Sequence, residues 1–463
     1  MCGVMAVADH AGASRLVHLG LYALQHRGQE SAGIAAGDGA CLRARTGMGL
    51  AGDVFDEKTL KDLPGRDAIG HVRYSTSGAS LLKNAQPLSF NTIHGPVAIS
   101  HNGNLTNAVT LRQRLENQGA LFQSTTDSEV IVHLLARERG PIEQALERSL
   151  RKVEGAYSLL LLTPEATLAA RDPLGFRPLV MGRLGAAVVF ASETTALNLL
   201  GAKVVREVEP GEIVIVRQGR VKSLKTLPRP ARQALCVFEH VYFARPDSNV
   251  FNLSVQMSRT ALGRELARES RGTMPRADIV VAVPDSGVPA ALGFSQESGI
   301  PLQTGFVRSH YIGRTFIQPI QKLRDHSVRI KLSPIREVLQ GKRIVLVDDS
   351  IVRGTTSRKI CRMLRDQGVR EIHMAISSPP IVSPCYYGID TPKKKNLIAA
   401  TRSQEEIRRF LGVDSLRYLS LEGLWRATAG PRSSGFCAAC FTGRYPTPLT
   451  DLKASREAHS PCA

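Results

Sequence analysis

Residues 344–357 restrict what this chain can fold into more than any other stretch. Ile344, Val345, Leu346 and Val347 form a β-branched, apolar run. Such a run predicts a buried strand of a parallel sheet, because both faces of that kind of sheet are covered. Asp348 and Asp349 stand where the strand should end, Ser350, Arg353, Gly354, Thr355 and Thr356 follow, and residues 357–364 take helical periodicity. A strand feeding a small, hydroxyl-rich loop ahead of a helix N-terminus gathers N–H groups and hydroxyls around an anion. The acidic pair would face sugar hydroxyls, directly or through a divalent cation. No Gly-Lys-Ser/Thr closes the loop, so it is not a Walker A sequence. An ordinary βα turn capped by one acid has no need of the second carboxylate.

With 463 residues the chain can build two domains, each with its own core. No apolar run approaches the ~18–20 residues that span a bilayer, and the N-terminus lacks the basic-then-apolar order of a signal peptide. A cytoplasmic protein without membrane partners is expected. A net charge of +19 would ordinarily suggest nucleic acid. The excess is spread along the chain, however, and a single Trp with few aromatics offers no base-stacking platform. Residues 217–232 hold six cations and no acid, with Pro228 and Pro230, and predict a solvated strap between domains. A second basic run covers residues 393–395.

Eight cysteines in such a chain point to catalysis or metal binding rather than disulfides. Cys437 and Cys440 form a CxxC pair that fits a zinc knuckle about as well as an iron–sulfur site. Cys41, Cys361 and Cys462 read as packing or tail residues. Cys2 follows the initiator Met, which is ordinarily removed before a small residue. That removal leaves an N-terminal thiol whose own α-amine, titrating near ~8, can act as general base. Polar positions recur downstream. Gln25 to Ser31 form a turn after an apolar helix ending near Leu24, and Gly70 to Thr76 a short strand carrying Arg73. Ser100 to Leu105 read as a strand end with a turn at Asn102-Gly103. Thr126, Asp127, Ser128 and Glu129 cap a helix through Leu135. Apolar stretches at 159–162, 188–190 and 213–216 predict further strands, giving an antiparallel two-sheet core with flanking helices.

In this order and spacing, the N-terminal pieces resemble the class II, N-terminal nucleophile (Ntn) glutamine amidotransferase domain. The resemblance implies an αββα domain over residues 2–230. It implies that Cys2 attacks the glutamine amide, with Asn102 and the Gly103 N–H stabilising the oxyanion. Arg73 would hold the α-carboxylate and Asp127 the α-amino group, while Arg27 and Gly28 would lie on a loop closing over the nucleophile. The 344–357 stretch resembles the 5-phosphoribosyl-1-pyrophosphate (PRPP) loop of the type I phosphoribosyltransferases, implying an α/β domain with a parallel sheet over residues 231–463. A second loop, Asp285, Ser286 and Gly287, follows an apolar strand and would receive pyrophosphate. Ser286 would help Asp348 and Asp349 hold Mg²⁺. Tyr311, Arg314 and Thr315 match the mobile loop that folds over PRPP. Just before them Arg308, Ser309 and His310 replace the usual Lys-Asn-Arg, which keeps the first charge but not its chemistry.

Over nearly its whole length the chain resembles the glutamine PRPP amidotransferase family, in its iron–sulfur branch. That likeness implies transfer of glutamine-derived ammonia to PRPP, giving 5-phosphoribosylamine, pyrophosphate and glutamate at the start of purine synthesis. Carried over, Cys236, Cys385, Cys437 and Cys440 would ligate a structural 4Fe–4S cluster. The family also implies a homotetramer inhibited by purine nucleotides. Cluster-bearing members often carry a propeptide where this sequence has only Met1, so no propeptide cleavage is expected. Two other readings compete. A PRPP-sensing regulator would have no use for Cys2, Asn102 and Asp127, and another class II amidotransferase would have none for residues 348–356.

Overall fold

The computed structural model describes residues 1–74, 79–228, 230–309, 332–428 and 435–452. Its N-terminal half is built on two antiparallel sheets. The first runs in the order Lys203–Glu207, Val180–Leu184, Ala187–Ala191, Gly3–Ala8, Asp67–Arg73, Ser31–Gly37, Leu42–Met48. The second runs Arg220–Leu224, Ile213–Arg217, Thr167–Arg171, Gly155–Leu162, Gly95–Leu105, Leu88–Thr92. Successive residues of a strand point to opposite faces, and here both faces are covered. Met5 and Val7 join the core that includes Val17 and Leu21 of helix Ala13–Ala23. Val4, Ala6 and Ala8 instead meet Leu160, Leu162 and Val214 of the second sheet. Leu159 and Leu161 turn outward beneath helices Ser128–Leu135 and Ile142–Leu150. The result is four layers, α/β/β/α, which is why the inner strands read as unbroken apolar runs.

The C-terminal half holds the expected parallel sheet, in the order Ile279–Ala282, Arg343–Asp348, Glu371–Ile376, Ser415–Tyr418. Ile344 and Leu346 face a core shared with helices Thr355–Asp366 and Gln404–Leu411. Val345 and Val347 face the other core, formed with helices Val255–Ser270 and Val288–Ser298. Val280 bridges to Leu302 on the side of its strand away from Val345. The winding therefore reverses at this strand, and the loops after Ala282 and Asp348 leave neighbouring carboxyl ends. Such a reversal is where ligands settle in open α/β sheets.

Four local expectations are revised. Residues 217–232 are only partly a strap, because Ile213–Arg217 and Arg220–Leu224 pair as the edge hairpin of the second sheet. Arg217 there binds Glu143 at 2.8 Å, and Lys225 binds Glu209 at 2.6 Å. Asn102 and Gly103 form no turn and lie within strand Gly95–Leu105, opposite Ser158 and Tyr157. Asp127 makes no capping hydrogen bond, since its Oδ2 accepts from Leu105 N at 2.9 Å. Cys41 neither packs nor lies in a tail; it is exposed beside a hairpin.

Helices Val255–Ser270 and Val288–Ser298 meet backbone to backbone through two glycines. A Cβ at Gly263 would lie 1.8 Å from Ala290 O, and one at Gly293 would lie 1.9 Å from Thr260 O. Gly263→Ala should therefore destabilise the protein by about 1–3 kcal/mol in urea unfolding. That is the reverse of the ~1 kcal/mol gain that helix propensity alone would give.

Candidate active site

Cys2 precedes the central strand of the first sheet and is buried. Its backbone N–H donates to Asn102 Oδ1 at 3.2 Å, and its Sγ lies 3.6 Å from Tyr74 O. Burial pushes the thiol upward in pKa, with nearby Arg73 opposing the shift. Asn102 is fully buried, and its Nδ2 has no hydrogen-bond partner among the described residues. A buried, unused amide donor next to a thiol is chemically suited to an oxyanion that forms only during reaction. Gly103 follows it on the strand, where a Cβ would lie 2.0 Å from Ala156 O. Arg73 is almost fully buried, ion-paired with Glu30 and bonded to Ala79 O at 3.3 Å. Gly28 lies on the backbone of Arg73, where a Cβ would come within 2.5 Å of its carbonyl carbon.

Arg27 is placed differently from a residue reaching for substrate. Its guanidinium is fully buried, with Nε donating to Cys2 O at 3.0 Å. It is ion-paired with Glu193 and binds Glu239 at 2.8 Å. Glu239 also faces Arg177 at 3.7 Å. Glu193 binds His26 at 2.7 Å and accepts from Arg245 N and Ser248 Oγ at 2.9 and 2.7 Å. Burial pushes the Glu193 carboxyl upward, but His26, Arg27 and these donors hold it far below the usual carboxylate range. This network ties the nucleophile to the segment after Cys236. Sequence reasoning missed Arg177 and Glu239. The available signal was a charge at the end of an apolar run, as at Glu239 after Val237 and Phe238.

In the parallel-sheet half, Asp348 and Asp349 are buried side by side, and Asp348 Oδ1 accepts from Asp349 N at 2.9 Å. Burial pushes both carboxyls up, and the charge of Asp349 raises Asp348 further. Ser286 and Ser350 hydroxyls donate to Asp349, and the charge of Arg259 favours its ionised form. Gly287 allows the adjacent loop to close in, since a Cβ would lie 2.6 Å from Val347 O. Asp285 is ion-paired with Arg308. Gly354 takes φ +74° ahead of helix Thr355–Asp366, and Arg353, Thr355 and Thr356 are exposed at that N-terminus. His310, Tyr311, Arg314 and Thr315 lie outside the described residues. Two buried carboxylates with oxygen donors around them form a set that suits a hard cation.

Cys236, Cys385, Cys437 and Cys440 come from distant segments to one place. Cys236 and Cys437 are partners in a short parallel ladder, and Val382 N and Ser383 N both donate to Cys440 O at 3.0 Å. Burial raises the thiol of Cys440, and the other three cysteines raise it further. Burial likewise pushes Cys236 up to about 11. Tyr387 N lies 3.3 Å from Cys385 Sγ, and Arg177 lies 3.9 Å from the same sulfur. No group of three or more His, Cys, Asp or Glu among the described residues is arranged to hold a metal ion. Four convergent thiols with N–H donors near sulfur are chemically compatible with a thiolate-held cluster. Cys361 is a buried core residue, and Cys462 lies outside the described residues.

Residues 71–199 match the family model of a glutamine amidotransferase domain, and residues 252–382 that of a phosphoribosyl transferase domain. The chain is 52% identical over 458 residues to amidophosphoribosyltransferase 1, chloroplastic, of Arabidopsis thaliana, covering 98% of this chain and 80% of that one. It is 47% identical over 453 residues to amidophosphoribosyltransferase of Bacillus subtilis, covering 97% and 94%. The chain belongs to the amidophosphoribosyltransferase family. The fold agrees: a solved glutamine PRPP amidotransferase from B. subtilis, complexed with ADP and GMP, aligns with TM-score 0.90 at 47% identity, covering 97% and 98% of the two chains. As an amidophosphoribosyltransferase, the protein is a glycosyltransferase-type enzyme that uses glutamine to aminate PRPP, the first step of purine synthesis. Among the described residues no helix is long and apolar enough to cross a membrane.

Glu239→Ala would leave Arg27 and Arg177 buried with one carboxylate fewer. It should cost about 3–5 kcal/mol in denaturant unfolding and lower glutamine-dependent activity. Glu193 adds a pH signature. Its folded-state pKa is depressed, so its contribution is complete above the ordinary carboxyl value of 4.5 and is lost as pH falls. Glu193→Gln should flatten the acid limb of the stability–pH curve.

Proposed function

We propose that residues 2–230 release ammonia from glutamine and residues 231–463 deliver it to PRPP. The observation that carries this reading is Asn102 Nδ2, without a partner among the described residues, beside a residue whose own N–H occupies the same amide's oxygen. Cys2 attacks the glutamine amide carbon, and Asn102 Nδ2 and Gly103 N–H take the developing oxyanion. One such donor is often worth ~3 kcal/mol. Arg73 holds the α-carboxylate, exchanging Glu30 for substrate, and Asp127 holds the α-amino group. The Arg27–Gly28 turn covers the nucleophile. Water then hydrolyses the thioester to glutamate. Ammonia is useful only unprotonated and close by, so delivery through a dry interior avoids its loss as ammonium.

At the second site Asp285, Ser286 and Gly287 receive the pyrophosphate. Asp348, Asp349, Ser350, Arg353, Gly354, Thr355 and Thr356 hold the ribose phosphate, completed by Tyr311, Arg314 and Thr315. Ser286, Asp348 and Asp349 would hold Mg²⁺, which supplies positive charge against the departing pyrophosphate. Cys236, Cys385, Cys437 and Cys440 would hold a 4Fe–4S cluster whose part is structural, tying residues 435–452 to the segment after the first half. Purine nucleotides are the expected feedback ligands, in keeping with the ADP and GMP of the B. subtilis complex. The protein is expected to work in the cytoplasm as a homotetramer.

An anaerobic assay of both products tests the coupling. Glutamate and pyrophosphate should rise in equal amounts only with glutamine, PRPP and Mg²⁺ together. Glutamate without pyrophosphate would point to a different acceptor. Anaerobically purified protein should carry about four irons per chain, and Cys437→Ser should lose them. Iron-free protein with full activity would remove the cluster from the reading.

A further inference from the structure

The loop 385–391 lies between the third and fourth strands of the parallel sheet in sequence, yet it rests on the strand that carries Asn102 and Gly103. Gly388 takes φ +104°, and a Cβ there would lie 2.9 Å from both the carbonyl carbon and oxygen of Gly103 and 3.1 Å from its Cα. The neighbouring Asn104 Nδ2 donates to Tyr386 O at 3.1 Å. Buried Arg177 donates from Nε to Tyr387 O at 2.8 Å. The Tyr387 ring stacks on Phe176 with centroids 4.1 Å apart at 19°. Ala156 also closes on Gly103, since a Cβ on Gly103 would lie 2.0 Å from its carbonyl oxygen. The Gly103 peptide is thus bounded by backbone from Ala156 and from Gly388, and the His101 ring also closes in, with Nε2 2.7 Å from where a Gly103 Cβ would stand.

We propose that Gly388 is a positioning residue for glutamine hydrolysis. It fixes the Gly103 peptide, and with it the Asn102–Gly103 donor pair, where the oxyanion forms. The inference rests on the oxyanion reading of those two residues. A donor must stand at hydrogen-bond distance from the oxygen of the tetrahedral intermediate, and a displacement of about 1 Å can cost on the order of a hundredfold in rate. A side chain at residue 388 would push on that peptide directly, while Cys2, Arg73 and the PRPP loops would be left in place. The transferase half, through the loop that begins at Cys385, therefore forms one wall of the glutaminase site.

Three rates measured on the full-length holoenzyme test the assignment. They are glutamate release from glutamine, ammonia-dependent pyrophosphate release, and alkylation of Cys2 by iodoacetamide, a displacement that forms no oxyanion. Gly388→Ala should lower kcat for glutamate release about ten- to a hundredfold, with KM for glutamine, the ammonia-dependent rate and the alkylation rate all held within about twofold. Asn104→Asp adds no bulk but sets a carboxylate against Tyr386 O, and it should shift kcat in the same direction. It carries the test if Gly388→Ala does not fold. A parallel fall of all three rates would make Gly388 a packing residue only, and unchanged glutamate release in both variants would overturn the proposal. Asn102→Ala separates the two levels. No loss of glutamate release there removes the oxyanion reading itself. Loss there with Gly388→Ala and Asn104→Asp unaffected removes only the positioning role.

Discussion

The buried ion network around Arg27 is the interaction on which the arrangement of the two halves depends. A guanidinium with no solvent exposure is tolerable only if carboxylates meet it. The two that do come from different places, Glu193 from the antiparallel core and Glu239 from the segment after Cys236. Because Arg27 also holds the carbonyl of Cys2, the same charges that join the halves fix the nucleophile's main chain. Arg177 extends the network by donating to Tyr387 O in the cysteine-bearing loop. The positions of the thiol, the interface and the four cysteines therefore depend on one another.

Each half is otherwise built by a simple rule. In the first, two sheets stack face to face with helices outside, so the strand carrying Asn102 is covered on both sides and its polar groups must be satisfied internally. Asn102 Nδ2 has no partner among the described residues, which fits a donor kept for a charge that appears only in reaction. In the second, neighbouring parallel strands end side by side. Their loops bring Ser286 to Asp349 without any long-range design beyond sheet order. The two carboxylates there are costly when buried together, and a cation would offset that cost.

Much of this was legible in the sequence. The run ending in Asp348 and Asp349 fixed a parallel strand and its anion loop, because period and turn chemistry are local properties. The CxxC pair and Cys2 were visible as chemistry, though CxxC alone could not choose its metal. Local reasoning failed at Asn102-Gly103, a turn-forming pair that lies within a strand, where a Cβ on Gly103 would meet Ala156 O at 2.0 Å. It failed again at Asp127, whose carboxylate is taken by a distant backbone N–H rather than its own helix.

Hydrophobic period, turn residues and motif order, all readable along the chain, determined the two-part architecture and the chemical classes of its sites. Tertiary structure alone decided which charges neutralise one another in the interior, as with Arg27, Glu193 and Glu239. It alone decided that the loop after Cys385 lies against Gly103. The reason is physical. Pairing of buried charges and close backbone contact depend on distances between residues far apart in sequence, and no local pattern encodes those distances.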